Sequence, residues 1–234
     1  MPRAMILAAG LGERMRPLTE TRPKPLLLVG GKPLIVWQIE RLVAAGFDDL
    51  VINVSHLAAE IETALGDGNR YGARIRYSRE RFPLEVAGGI ATASPLLGDG
   101  VVPIVSADVY TDYDYATLRP RLAVMAATSA PPHLHMVMVP NPDYHPLGDF
   151  VLADGRLVLE GAQRLTFGNV ALYRTELFRE LPRGEKVRML PHFQSWIRRG
   201  WASGELYAGP WANIGTPTDL DRLDSMLRSA LPAR

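Results

Sequence analysis

The chain has 234 residues, enough for one α/β domain with a substantial core and too few for two full ones. Its 26 Lys and Arg against 25 Asp and Glu give a net charge of +1, so no overall field draws it to nucleic acid or an anionic membrane, and any basic patch must be local. With no cysteine there are no disulfides, thiolate zinc sites or cysteine nucleophiles; with no charged-then-apolar leader and no apolar run near the roughly 18 residues of a membrane span, the expectation is a soluble cytoplasmic protein.

The first element is an apolar strand, Ala4-Met5-Ile6-Leu7, which runs through Ala8-Ala9 into Gly10-Leu11-Gly12-Glu13-Arg14. A buried strand that ends in such a turn exposes unpaired backbone N–H groups, and the glycines let a phosphate approach them closely. Arg14 and Lys24, the latter inside Pro23-Lys24-Pro25, bring two cations to the same place. Two better-known phosphate loops are excluded: no G-x-x-x-x-G-K-[ST] occurs, and the third glycine of a dinucleotide fingerprint is replaced by Met15. A glycine turn with an arginine and a lysine suits a triphosphate whose chemistry depends on positioned charge.

Strand and helix signals then alternate through the first half, the pattern of a parallel sheet wrapped by helices. Ile35, Val36, Ile39, Leu42 and Val43 share a helical face closed by Gly46; residues 50–54 read as a strand, 56–65 as a helix stopped by Gly66-Asp67-Gly68, and 73–77 as extended. Gly88 is expected to open a third helix, and Val101 to Val105 is an apolar strand of the kind buried on both faces. Asp108 follows that strand. In open α/β sheets ligands lie beyond the carboxyl ends of the strands, so Asp108 faces the same crevice as the Gly10 turn and is a candidate Mg²⁺ ligand. One of Asp112 and Asp114 is expected to cap the next helix.

Beyond about residue 115 the pattern loosens into short strands at 134–139, 150–152, 157–159 and 167–173, with turns at Asn141-Pro142 and Asp154-Gly155. Helices are expected over 187–199 and 218–231, flanking a strand at 205–207 and the segment Trp211-Ala212-Asn213-Ile214-Gly215-Thr216. The fold class that follows is α/β, a mainly parallel Rossmann-like sheet with a smaller lobe: one domain over 1–234, with halves of about 1–115 and 116–234. His133 and His135 share a strand face without a third ligand, a pattern that points to packing or solvent rather than metal.

The run Leu7-Ala8-Ala9-Gly10-Leu11-Gly12-Glu13-Arg14-Met15-Arg16-Pro17-Leu18-Thr19, followed by Pro23-Lys24-Pro25, resembles the compound signature of the sugar-1-phosphate nucleotidylyltransferases. The resemblance implies a glycosyltransferase-A-like nucleotidyltransferase fold, with residues 1–115 holding a nucleoside triphosphate and 116–234 a sugar 1-phosphate. It implies that residues 8–14 and Lys24 bind the nucleotide, Arg14 meeting the β,γ-phosphates and Lys24 the sugar phosphate and α-phosphate. Arg14, Lys24 and Asp108 are the catalytic candidates. The loop Leu84-Glu85-Val86-Ala87-Gly88-Gly89 matches the family's base-side loop, making Glu85, Ala87, Gly88 and Gly89 further nucleotide candidates. Gly148 and Asp149 of Gly148-Asp149-Phe150 resemble the sugar-side loop, with Glu160 and Asn169 as additional sugar candidates; Asp149 reads equally well as a turn residue.

The family's second metal ligand is an aspartate in W-x-D-x-G-T, and here that position is Asn213. Its amide oxygen either completes the Mg²⁺ site with Asp108 or serves only the turn. Within the family the resemblance runs furthest toward the short bacterial N-acetylmuramate-1-phosphate uridylyltransferases, which implies transfer from UTP to N-acetylmuramate 1-phosphate in cell-wall sugar recycling. Mannose-1-phosphate guanylyltransferases and glucose-1-phosphate thymidylyltransferases share the opening residues and are the alternatives. A non-catalytic module that binds nucleotide sugars is the alternative of a different class, and Asn213 is the feature that favours it.

Overall fold

The computed structural model describes residues 2–230. Its strands in chain order are β1 (Arg3–Leu7), β2 (Leu28–Val29), β3 (Lys32–Pro33), β4 (Asp49–Val54), β5 (Arg74–Arg79), β6 (Val101–Ser106), β7 (Val109–Thr111), β8 (Leu134–Val139), β9 (Phe150–Ala153), β10 (Arg156–Val158), β11 (Arg164–Arg174), β12 (Ala202–Leu206) and β13 (Trp211–Asn213). The α-helices are α1 (Leu18–Thr21), α2 (Leu34–Ala44), α3 (Ala58–Leu65), α4 (Glu85–Leu97), α5 (Leu118–Ala126), α6 (Leu190–Arg198) and α7 (Pro217–Ala230). No helix among the described residues is long and apolar enough to cross a membrane.

Nine strands form one sheet in the order β5-β4-β1-β6-β11-β8-β12-β10-β9. The first four are parallel, and every residue of β4 is buried, as expected for strands covered on both faces. Strand β1 pairs with β4 on one side and β6 on the other, while the chain runs outward to β5 before crossing back through α4 to β6. The boundary between β1 and β6 is therefore the point where the order of winding reverses, and a crevice opens beyond the carboxyl ends of those two strands. Strand β11 continues the sheet antiparallel to β6, so both halves of the chain share it. Its first residues also pair with β9, which curls that end of the sheet back on itself, and its pairing with β8 is irregular between Phe167 and Ala171.

Two cores cover the two faces. Ile35, Ile39, Leu42, Phe47, Ile61 and Tyr115 belong to the core on the α2, α3 and α5 side; Met5, Ile90, Leu97, Phe178, Phe193 and Trp196 belong to the core under α4 and α6. A smaller cluster of Met15, Leu27, Leu34, Tyr110, Ile214 and Leu223 fastens α7 to the region of the turn after β1.

Several boundaries depart from the sequence expectations. Helix α4 starts at Glu85 and not at Gly88, so the glycine pair lies within the helix. Helix α3 starts at Ala58 because Ser55–Leu57 forms a turn, closed by Ala58 N donating to the Ser55 carbonyl at 3.2 Å. Helix α6 starts at Leu190, with Pro191 in its first turn, where a missing N–H costs nothing; residues 187–189 are not helical. Of the expected last helix, Leu231 lies outside the described residues. Asp114 is the capping carboxylate, accepting from Ala116 N at 2.9 Å, while Asp112 pairs with Arg41.

Candidate active site

The carboxyl ends of β1, β4, β5 and β6 deliver Ala8, Asn53, Glu80 and Asp108 to one cavity of about 630 Å³. One end of it is the turn after β1. Gly12 sits in the left-handed region at φ 64°, and a Cβ there would crowd Thr19, whose hydroxyl donates to the Gly12 carbonyl at 2.8 Å. Gly10 has a different role: a Cβ built on it would meet nothing within 4 Å, so the space above its backbone is open to a ligand. Arg14 follows the turn, and its guanidinium lies over Gly215, where a Cβ would stand 3.3 Å from both terminal nitrogens.

Lys24 Nζ donates to Asp108 Oδ2 at 2.6 Å. An ammonium has three N–H donors, so this contact leaves two for phosphate oxygens. The Lys24 side chain is 11% exposed and that of Asp108 33%, which places the pair at the cavity wall rather than in free solvent. Asp108 is held from behind, since its carbonyl accepts from Ile214 N at 2.8 Å and β13 pairs antiparallel with β7 in the register Asn213 to Val109. Asn213, expected as a second metal ligand, is thereby placed next to Asp108 across the ladder but is not among the residues that line the cavity. Burial raises the Tyr144 pKa, with Asn213, Asp219, Arg14 and Asp108 as its polar surroundings. Asp219 caps α7, accepting from Thr216 N at 2.8 Å and Gly215 N at 3.1 Å, which fixes the loop beneath Arg14.

At the cavity floor, Ala8 N donates to Asn53 Oδ1 at 2.8 Å and Asn53 Nδ2 donates to Glu80 Oε1 at 2.7 Å. Glu80 Oε2 accepts from Leu84 N at 3.0 Å. This chain ties the ends of β1, β4 and β5 to the start of α4. Burial pushes the Glu80 carboxyl above its usual range, opposed by these two hydrogen bonds. Asn53 and Glu80 were not among the residues singled out from sequence; the rule that exposed Asp108, a polar residue at the carboxyl end of a parallel strand, applies to both.

Of the residues expected to bind nucleotide, Ala8 through Arg14, Lys24 and Glu85 line the cavity together with Asp108. Glu85 does so with a left-handed φ of 63°, a strained conformation for a residue with a side chain. Ala87, Gly88 and Gly89 do not line it. Ala87 is fully buried, a Cβ on Gly88 would overlap the Glu185 carbonyl oxygen, and a Cβ on Gly89 would stand 2.7 Å from Glu80 Oε1. The glycine pair is thus required for packing: it lets residues 185–187 on one side and the Asn53–Glu80 pair on the other reach the helix backbone.

Gly148, Asp149, Glu160 and Asn169 are also absent from the cavity lining. Asp149 accepts from Phe167 N at 2.7 Å through one oxygen and contacts His145 Nε2 at 3.1 Å through the other, so its carboxylate pins the 141–149 loop. Gly148 is buried at φ 62°, and a Cβ would stand 2.7 Å from Asn141 Oδ1. Asn169 occupies the irregular stretch of β11 at φ 57°, and Glu160 is exposed. His135 is buried between Ser203 Oγ at 2.8 Å and Glu205 Oε2 at 3.3 Å.

Residues 3–147 match the family described as Nucleotidyl transferase. The chain belongs to the nucleotidyl transferase family. It is 46% identical over 220 residues to the N-acetylmuramate alpha-1-phosphate uridylyltransferase of Neisseria meningitidis serogroup B, covering 92% of this chain and 93% of that one. It is 34% identical over 227 residues to the protein of the same name from Caulobacter vibrioides, covering 92% of each. Among solved structures, a Bacillus anthracis chain assigned as a glucose-1-phosphate thymidylyltransferase superposes with a TM-score of 0.85 at 19% identity, covering 100% of this chain and 98% of that one. That likeness shows the fold, the nucleotidyltransferase α/β architecture that the opening motif implied.

Proposed function

We propose that this nucleotidyltransferase moves a uridylyl group from UTP to N-acetylmuramate 1-phosphate, giving UDP-N-acetylmuramate and pyrophosphate, as a cytoplasmic step of cell-wall sugar recycling. The observation that carries the reaction is the convergence of the open Gly10 turn, Arg14 and the Lys24–Asp108 pair where the winding of the sheet reverses. The choice of substrates rests on the two relatives of that name, which match over nearly their whole length.

A sugar 1-phosphate has its second pKa near about 6, so the attacking oxygen is already an anion at neutral pH and no general base is required. That oxygen attacks the α-phosphorus, the bond from the α-phosphorus to its bridging oxygen breaks, and pyrophosphate departs with the electron pair. The difficulty is electrostatic: two polyanions must be held in line. The backbone N–H groups of the Gly10 turn and Arg14 bind the β,γ-phosphates, while Lys24 spans the incoming phosphate and the α-phosphate. Glu85 is assigned to the base side by the resemblance. Gly148, Asp149, Glu160 and Asn169 are assigned to the sugar side by the resemblance alone.

The family resemblance also implies a divalent cation, Mg²⁺. Among the described residues no three acidic, histidine or cysteine side chains gather into a metal cage. Asp108 brings one carboxylate to the cavity and Asn213, paired with Val109 in the ladder, carries an amide oxygen of suitable chemistry; so few protein donors fit an ion that retains waters and takes phosphate oxygens as its other ligands. Bound there, Mg²⁺ would supply charge neutralisation for the triphosphate.

The testing experiment is pyrophosphate release across UTP, dTTP, GTP and CTP against muramyl, glucosaminyl, glucosyl and mannosyl 1-phosphates. Turnover restricted to UTP with N-acetylmuramate 1-phosphate is expected. Turnover with GTP and mannose 1-phosphate, or with dTTP and glucose 1-phosphate, would replace the substrates and keep the reaction. Nucleotide binding without release in any combination would overturn it in favour of a non-catalytic binding module.

A further inference from the structure

Helix α2 turns an apolar face inward, and one residue on that face is polar. Gln38 is fully buried, with Leu34 one turn before it and Leu42 one turn after. A buried amide is tolerated there only if both its ends find partners. Gln38 Oε1 accepts from the Tyr115 hydroxyl, and Gln38 Nε2 donates to the Val109 carbonyl. Val109 directly follows Asp108 in the chain.

The β7–β13 ladder gives that carbonyl no partner. Its bonds run from Ile214 N to the Asp108 carbonyl and from Asp112 N to the Pro210 carbonyl, so antiparallel alternation makes Val109 and Asn213 a non-hydrogen-bonded pair and points the Val109 carbonyl away from β13. Three consecutive residues are therefore held from three directions. Ala107 N donates to the Leu7 carbonyl of β1 at 3.0 Å, the Asp108 carbonyl accepts from Ile214 N at 2.8 Å, and the Val109 carbonyl accepts from Gln38 of α2. The first two contacts are backbone to backbone, and the third alone comes from a side chain. We infer that Gln38 is a positioning residue for Asp108: by holding the Val109 carbonyl it fixes how the chain leaves β6 and so aims the Asp108 carboxylate at Lys24 and the cavity. The inference rests on the reading of Asp108 as part of the nucleotidyl-transfer machinery and deepens it. Without Gln38 the carbonyl is left in apolar surroundings with no donor, and the segment must shift to find one.

The test is steady-state kinetics of Gln38→Met, alone and combined with Asp108→Ala, each assayed well below its own Tm. Methionine keeps the shape and removes the donor. Gln38→Met should lower kcat by roughly 10- to 100-fold, the cost of a small misplacement of a reacting group, with KM for UTP and for the sugar 1-phosphate within about threefold. Added to Asp108→Ala it should lower kcat by no more than about twofold, because the group it positions is already gone. Tyr115→Phe removes the other hydrogen bond of Gln38 and leaves the donor to Val109, so its kcat should stay within about twofold of wild type whatever its Tm. If Gln38→Met does not fold, Gln38→Met with Tyr115→Phe removes the stranded hydroxyl as well, and the same loss of kcat is expected of it. A kcat within about twofold of wild type in the Gln38 variant, a full additive loss on top of Asp108→Ala, or an equal loss in Tyr115→Phe would each overturn the assignment. If Asp108→Ala alone turns over at the wild-type rate, the role of Asp108 fails first, and this inference falls with it before Gln38 is compared.

Discussion

Substituting Gly88 by alanine separates packing from ligand contact at the α4 wall. The new Cβ would come closer to the Glu185 carbonyl oxygen than non-bonded atoms allow, and it would stand 3.1 Å from Val187 N. Both are backbone atoms, so no side-chain rotation relieves the overlap, and the carbonyl must retreat by roughly 1 Å to reach van der Waals contact. If residues 185–187 stay docked, overpacking costs about 1–3 kcal/mol. If they lift away, the two backbone hydrogen bonds joining Val187 to Leu84 and Gly88 are lost, at about 0.5–1.5 kcal/mol each. Both routes lead to the same range, and for a chain of this length they lower Tm by roughly 3–10 °C. Thermal unfolding measures the loss, and hydrogen exchange at the Val187 amide distinguishes the routes, since only detachment accelerates it. A Tm within about 1 °C of wild type, with exchange unchanged, would refute the account of the glycine pair.

Gly10→Ala should do the reverse, leaving Tm unchanged because its Cβ meets nothing, while weakening UTP binding measured by calorimetry because it fills the ligand's space. Lys24→Ala and Asp108→Ala should each cut kcat by two or more orders of magnitude, about 2.7–4 kcal/mol by analogy with an oxyanion donor, with the circular dichroism spectrum intact; near-normal turnover in either would remove that residue from the reaction. Asn213→Asp adds a carboxylate beside Asp108 and should lower the Mg²⁺ concentration for half-maximal turnover, and excess EDTA should abolish turnover in both proteins. Burial pushes the Asp49 carboxyl up, but hydrogen bonds and charge from Arg3 and Arg76 outweigh it and leave the group below the usual aspartate range. The stability it contributes is therefore complete above the ordinary aspartate pKa and is lost as pH falls through the lower folded value. Asp49→Asn should be destabilised at pH 7 by about 2–3 kcal/mol in urea titrations, with the difference vanishing at acid pH.

The parts of the site legible in the sequence are those whose chemistry is contiguous. Gly10 through Arg14 form one turn, Lys24 follows within the same excursion of the chain, and Asp108 is marked by the apolar strand before it. The Asn53–Glu80 pair was hidden because its two members come from different strands and one hydrogen bond joins them. Gly88 was expected to open the helix that starts at Glu85, because a glycine needed for a neighbouring backbone looks, in sequence, like one that begins an element. Residues 187–189 read as helix from their composition, yet the hydrogen bonds from Val187 to α4 take the backbone groups a helix would use. The β7–β13 pairing joins short segments about a hundred residues apart, with no periodicity to announce it.

That pairing also orders events in time. During synthesis the ribosome releases the phosphate turn and Asp108 long before Ile214 exists to bind the Asp108 carbonyl, or Gly215 to lie under Arg14. A nascent chain stopped short of residue 211 carries the whole opening motif and lacks Gly215 at its cavity and the strand that holds Asp108 from behind. The surroundings of Asp108 and Arg14 are thus completed only once residues 211–215 have joined the fold.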